Sequence, residues 1–174
     1  MSWSSLIGWV VVPQIGGILG GLATVTQIKT WYEKLLKPSW RPPNAVFGPA
    51  WTILYLFMGI ASYLVARDGQ GSVRTLALTF YFIQLILNWS WTPVFFVFHQ
   101  LGAAIVIILV LFINIFICVL QFWHINSYAG MLMVPYLIWV GYASALTIAI
   151  WQLNSPYAQP PPRRPRPTGD PYQQ

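Results

Sequence analysis

The sequence predicts an all-α membrane protein, a bundle of five transmembrane helices with a structured first loop. Two observations carry that expectation. Hydrophobic residues make up 57% of the 174-residue chain and charged residues only 7%, whereas a soluble domain keeps about 25% of its residues charged to wet its surface. The apolar residues also gather into five runs of roughly the 20 residues that a helix needs to cross a bilayer. Backbone groups in lipid must be satisfied within their own segment, which selects helices. The length allows one domain over residues 1–153, followed by a polar tail over 154–174.

The first run, 5–26, carries Gly16, Gly17, Gly20 and Gly21. These make two overlapping small-xxx-small patterns, which let another backbone approach closely within the bundle or in a homodimer. Pro13 predicts a kink. The stretch 27–45 is too long and too aromatic for a plain connector. Within it Thr30-Trp31-Tyr32-Glu33 has capping-box spacing for a short helix that Lys37-Pro38 would stop. Arg41-Pro42-Pro43 then forces an extended lead into the second run, 46–66. A polar, Gly-containing turn over 67–75 precedes the third run, 76–98. Tight links at 99–100 and 124–128 bound the fourth and fifth runs, 101–123 and 129–152, so consecutive helices are expected to be antiparallel. Pro135 predicts a second kink.

The tail holds Pro160-Pro161-Pro162-Arg163-Arg164-Pro165-Arg166-Pro167, a basic, proline-rich composition that reads as extended or disordered. With five spans, the long loop and the tail share one side. That side carries Lys29, Lys34, Lys37, Arg41, Arg163, Arg164 and Arg166; the other has Arg67 and Arg74. The positive-inside rule places the first loop and the C-terminus in the cytosol. The same distribution explains the net charge of +6 without nucleic acid, since no basic stripe is formed.

Several function classes are disfavoured. No run holds Asp, Glu, Lys or Arg well inside it, as an ion-coupled transporter usually does, and five spans do not divide into inverted repeats. Cys118 is a lone apolar-environment cysteine, with no metal-ligand spacing around it. The two histidines lie at span ends, without a serine or carboxylate at a catalytic spacing. The spans offer aromatic rings and a few amides instead.

Of ten tryptophans, Trp3, Trp9, Trp123 and Trp151 lie near span ends, where an interfacial belt accounts for them. Trp139 falls mid-span and Trp51 about a turn and a half into its span; core packing and a ligand wall are both open for them. Gln84, Asn88, Trp91 and Phe95 recur at i, i+4, i+7 and i+11, making one polar-aromatic stripe. It fits interhelical hydrogen bonding or a pocket lining. Asn114 and Gln121 form a weaker pair of the same type.

Three ordered motifs now point to a family. Trp31-Tyr32, Lys37-Pro38-Ser39-Trp40-Arg41-Pro42-Pro43 and Pro49-Ala50-Trp51 form the first. Leu87-Asn88-Trp89-Ser90-Trp91-Thr92-Pro93 with Phe95-Phe96 is the second, and Pro135-Tyr136-Leu137-Ile138-Trp139 the third. Over about residues 8–153 the chain resembles the translocator protein family, also called tryptophan-rich sensory proteins or peripheral benzodiazepine receptors. The resemblance implies a compact five-helix bundle, often dimeric. It would bind porphyrins, haem-related tetrapyrroles and lipophilic benzodiazepine-receptor ligands in a pocket opening toward the first loop, with no obligatory cofactor.

By position Tyr32, Trp40, Pro42, Pro43, Trp51, Asn88, Trp91, Phe95, Trp139, Ala143 and Leu146 fall at that pocket or its lid. Trp51 and Trp139 match the pair implicated in light-dependent porphyrin breakdown in bacterial members, so a porphyrin-oxidising enzyme is one rival reading; a porphyrin or sterol transporter is another. Porphyrin propionates are expected near Lys29, Lys34, Lys37 or Arg41 by charge complementarity. The sterol-recognition pattern of vertebrate members is missing at residues 146–153, although Lys29-x-x-Tyr32-x-x-Leu35 fits its reverse loosely. The Asn-Trp-x-Trp motif and residues 59–63 resemble animal members, which favours the mitochondrial outer membrane over a bacterial envelope.

Overall fold

A computed structural model describes residues 3–155. It contains five long helices: α1 (Trp3–Thr30), α2 (Asn44–Asp68), α3 (Gly71–Phe96), α4 (Leu101–Ile125) and α5 (Ser127–Asn154). Among the described residues there is no strand. Four helices, α1, α2, α4 and α5, are long and apolar enough to cross a bilayer. The 26-residue α3 has the length, but Gln84, Asn88, Ser90 and Thr92 dilute its apolar content. The expected tail over 156–174 lies outside the described residues. Asn154, expected to begin that tail, is the last residue of α5.

α1 packs on α2 and α3, α2 on α5, α3 on α4, and α4 on α5. The helices therefore close into a ring in the order α1–α2–α5–α4–α3. Lipid supplies no hydrophobic drive between helices, so close van der Waals packing and interhelical hydrogen bonds must hold the ring. Two apolar clusters do the packing. One, around Met58, Tyr81, Leu85, Ile115, Phe122, Met133 and Tyr136, fills the half remote from the first loop. The other joins Tyr32, Phe95, Ala104, Leu146 and Ile150 at the loop end.

Three of the α1 glycines each face a different neighbour. A Cβ on Gly16 would meet the Trp89 indole and one on Gly17 the Tyr55 ring; one on Gly20 would come within 3.3 Å of Thr92, while Gly21 faces open space. The closest backbone approach belongs to a glycine outside the small-xxx-small patterns. A Cβ on Gly59 of α2 would stand 2.5 Å from Val10 Cα and 2.8 Å from the Trp9 carbonyl oxygen. Pro13 has no N–H for that carbonyl, which leaves an oxygen toward which the bare Gly59 backbone closes.

The first loop differs from the expected helix. α1 continues to Thr30, whose hydroxyl donates to Thr26 O at 2.9 Å, so Thr30 is a helical residue and forms no capping box. Only a single 3-10 turn, Tyr32–Lys34, follows, with no side-chain cap at Trp31. Trp9 also departs from the belt reading: its ring lies 6.3 Å from Tyr81 and 6.0 Å from Phe82. Trp3, Trp123 and Trp151 are exposed.

Candidate functional site

Between α1, α2, α3 and α5, under the loop, lies a cavity of about 490 Å³. That is inside the range of about 300–1,000 Å³ typical of small-molecule sites. α1 contributes Gly16, Gly17, Gly20, Gly21 and Thr24; α2 contributes Phe47, Trp51 and Tyr55; α3 contributes Trp91 and Phe95; α5 contributes Trp139, Ala143, Leu146 and Ile150. Along this wall α1 presents its four glycines beside Gln14, Ile18, Thr24, Val25 and Ile28, and only Pro13 and Thr24 of that helix are buried. The glycine stripe thus packs against α2 and α3 at Gly16, Gly17 and Gly20 and leaves room at Gly21.

Seven of the eleven residues expected at the pocket line this cavity: Tyr32, Trp51, Trp91, Phe95, Trp139, Ala143 and Leu146. Rings from α2 and α5 meet edge-on across it, and α3 adds a stacked pair. Trp51 and Trp139 stand 6.4 Å apart at 89°, and Phe47 abuts Trp139 at 5.9 Å. Trp91 stacks on Phe95 at 5.0 Å. The indole N–H groups of Trp91 and Trp139 are buried and have no partner. A buried unpaired donor costs roughly 1–3 kcal/mol.

Asn88 stands behind this wall and does not line it. Its Oδ1 accepts from Tyr55 Oη at 2.7 Å, and its Nδ2 donates to Tyr136 Oη at 3.0 Å. Tyr136 donates onward to Gln84 Oε1 at 2.9 Å. The α3 stripe therefore divides: Gln84 and Asn88 form an interhelical network, and Trp91 and Phe95 face the cavity. Trp51 stacks on Tyr55 at 5.5 Å and meets Tyr136 edge-on at 6.2 Å. Both phenols that hold Trp51 are thus fixed by one amide. Asn114 is buried and accepts from Cys118 Sγ at 3.7 Å.

The loop reaches the end of the cavity through Tyr32. Tyr32 is buried, with its ring 6.2 Å from Phe95 and 5.6 Å from Phe96. Lys37 Nζ donates to the carbonyls of Tyr32, Glu33 and Leu35 at 2.6, 3.0 and 2.7 Å, so its charge is committed to the turn. Desolvation pulls this ammonium below the usual lysine range and Arg41 adds to that, while Glu33 opposes it. Burial lifts the Tyr32 phenol above its ordinary range, against the pull of Arg41. Arg41 donates to Asn44 Oδ1 at 2.9 Å, while Lys29 and Lys34 are exposed. Trp40 is exposed and its carbonyl accepts from Tyr142 Oη at 3.2 Å; Pro42 is half-buried and Pro43 exposed. These three residues shape the loop without lining the cavity.

Sequence reasoning passes over Gly59, Tyr142 and Asn154. Asn154 Oδ1 accepts from Leu36 N at 2.9 Å and its Nδ2 donates to Leu36 O at 2.8 Å. No motif marks it, because its partner is backbone from 118 positions away.

Long apolar helices closed around an aromatic cavity define a helical integral membrane protein. The sequence profile of the TspO/MBR family matches residues 9–152, and the chain belongs to that family. It is 36% identical over 155 residues to the translocator protein of Bos taurus, covering 87% of this chain and 91% of that one. A tryptophan-rich protein TspO from Archaeoglobus fulgidus is 39% identical over 139 residues, 80% of this chain and 90% of its own. The tryptophan-rich sensory protein of Cereibacter sphaeroides is 40% identical over 125 residues, 71% and 77% of the two chains.

Proposed function

We propose that this protein is a membrane receptor or sensor that binds porphyrins and other lipophilic ligands of the benzodiazepine-receptor type in the cavity under its first loop. The observation that carries the reading is the wall itself: three indoles, two with unpaired N–H donors, around about 490 Å³ of apolar space. A flat apolar macrocycle or drug-sized aromatic buries its faces against such rings and offers acceptors to the donors. Relatives named translocator protein and tryptophan-rich sensory protein support a receptor or sensor role.

All five helices span the bilayer in this reading. α3 closes the ring between α1 and α4, and its 26 residues reach about 39 Å at 1.5 Å per residue. The first loop and C-terminus face the cytosol, by the charge asymmetry of the connections. The mitochondrial outer membrane is the favoured location and a bacterial envelope the alternative. Among the described residues, exposed Lys29 and Lys34 are available to ligand carboxylates at the loop end, since Lys37 and Arg41 are engaged within the loop.

A second reading, light-dependent porphyrin oxidation, draws on the edge-on pair Trp51 and Trp139 at the cavity wall. The test is a titration of purified protein with protoporphyrin IX in darkness and then under illumination. Saturable tryptophan quenching without spectral change supports the receptor. Saturable binding followed by bleaching that Trp51→Phe or Trp139→Phe abolishes, at nearly intact dark affinity, supports the enzyme. No saturable quenching overturns both.

A further inference from the structure

We infer that Asn154, at the last turn of α5, is a latch that holds the first loop over the cavity and thereby sets how fast a guest enters and leaves. This rests on the proposed binding role of the cavity. The loop has two kinds of attachment. Its first half is an apolar plug, with Tyr32 buried against Phe95 and Phe96 and Trp31 stacked on His99 at 4.1 Å. Apolar contacts of this kind are non-directional and set no register. Its second half, 35–40, contributes nothing to the cavity lining and little to the core.

That second half is tied to α5 by directional bonds. The Asn154 amide pairs with both backbone groups of Leu36, at 2.9 and 2.8 Å, as a neighbouring β-strand would. Its Nδ2 also donates to Ile150 O at 2.7 Å, which fixes the amide on the helix end. Tyr142, about three turns deeper, holds Trp40 O at 3.2 Å. Leu36 itself is exposed, so a two-sided side-chain bond to its backbone serves no burial purpose. Ile150 lines the cavity and Asn154 lies one turn beyond it. The latch therefore sits at the rim, joining the lid to the wall opposite α1. Asn154 touches no part of the cavity and acts as a positioning residue.

The experiment uses the full chain in detergent with Asn154→Ala and Asn154→Asp, the latter keeping the acceptor for Leu36 N and losing the donor to Leu36 O. Two readouts are taken. The first needs no ligand: limited trypsin cleavage after exposed Lys34, the loop bond free of a following proline, with Arg67 and Arg74 at the other end as internal reference. The second is stopped-flow tryptophan quenching by protoporphyrin IX, giving association and dissociation rates.

Losing a pair of hydrogen bonds is expected to speed Lys34 cleavage and both ligand rates by roughly tenfold in Asn154→Ala, with a smaller effect in Asn154→Asp and little change in the equilibrium affinity. Unchanged Lys34 cleavage overturns the latch whatever the ligand does. Faster cleavage with unchanged ligand rates overturns its control of access. Absence of saturable porphyrin binding by the unaltered protein overturns the binding role instead, and the cleavage readout still judges the latch.

Discussion

Asn88 lies between two phenols, and its amide is spent on both of them. Replacing it with alanine removes the acceptor of the Tyr55 hydroxyl and one of the two bonds of Tyr136, which keeps Gln84. Interhelical hydrogen bonds in lipid are worth about 0.6 kcal/mol on average and rarely exceed about 2. Asn88→Ala is therefore expected to cost about 1–2 kcal/mol, read as a lower unfolding midpoint in detergent, and to shift Trp51 emission although Asn88 lines no cavity. An unchanged Trp51 signal would contradict the positioning role. At Trp139 the unpaired indole N–H makes a different point: Trp139→Phe keeps a ring in the wall and removes the donor. A neutral hydrogen bond of about 0.5–1.5 kcal/mol sets the expected loss of dark affinity at about threefold. The aromatic and amide positions were legible because periodicity places them on one helix face. Which of them meets the guest was not, since Asn88 and Trp91 share a stripe and diverge only through the partners that other helices bring.

At the scale of elements, the meeting of α1 with α2 and α3 ranks its glycines. Gly59→Ala drives a methyl into the α1 backbone at Val10 and Trp9, where nothing flexible can yield. Gly16→Ala and Gly17→Ala meet side chains that can rotate, and Gly21→Ala meets open space. The expected order of destabilisation is Gly59, then Gly16 and Gly17, then Gly21 within about 0.5 kcal/mol of the parent, checked by thermal unfolding in detergent. Helix identity was readable from apolar length because lipid leaves the backbone no alternative. Helix ends were less so: α1 runs to Thr30 past the end of its apolar run because its last turn needs no lipid contact to stay helical. The same extension turned an apparent capping box into ordinary helical residues. Gly59 escaped notice since its meaning depends on the carbonyl that Pro13 frees in another helix.

For the whole molecule, the ring α1–α2–α5–α4–α3 encloses a cavity that α4 does not touch. α4 buttresses α3 and α5 from the far side, so cavity-side and α4-side substitutions separate. Ile115→Ala, in the fully buried α4 core, is expected to lower stability by about 2–5 kcal/mol and to leave the affinity of the folded fraction unchanged. The family motifs made the cavity's location legible in outline. Its closure was not, because the loop is held by Asn154, Tyr142 and Lys37 through backbone carbonyls and amides that carry no residue signature.

The most direct measurement of the binding role is a dark titration of Ala143→Phe with protoporphyrin IX, followed by tryptophan quenching beside the unaltered protein. Ala143 lines the cavity and is 7% exposed, so a phenyl group there occupies the space between Trp139 and Leu146. Saturable quenching in the unaltered protein, weakened at least tenfold in a variant that keeps its helicity, is the expected result. Equal affinity in the two proteins would place the porphyrin elsewhere and contradict the cavity as its site.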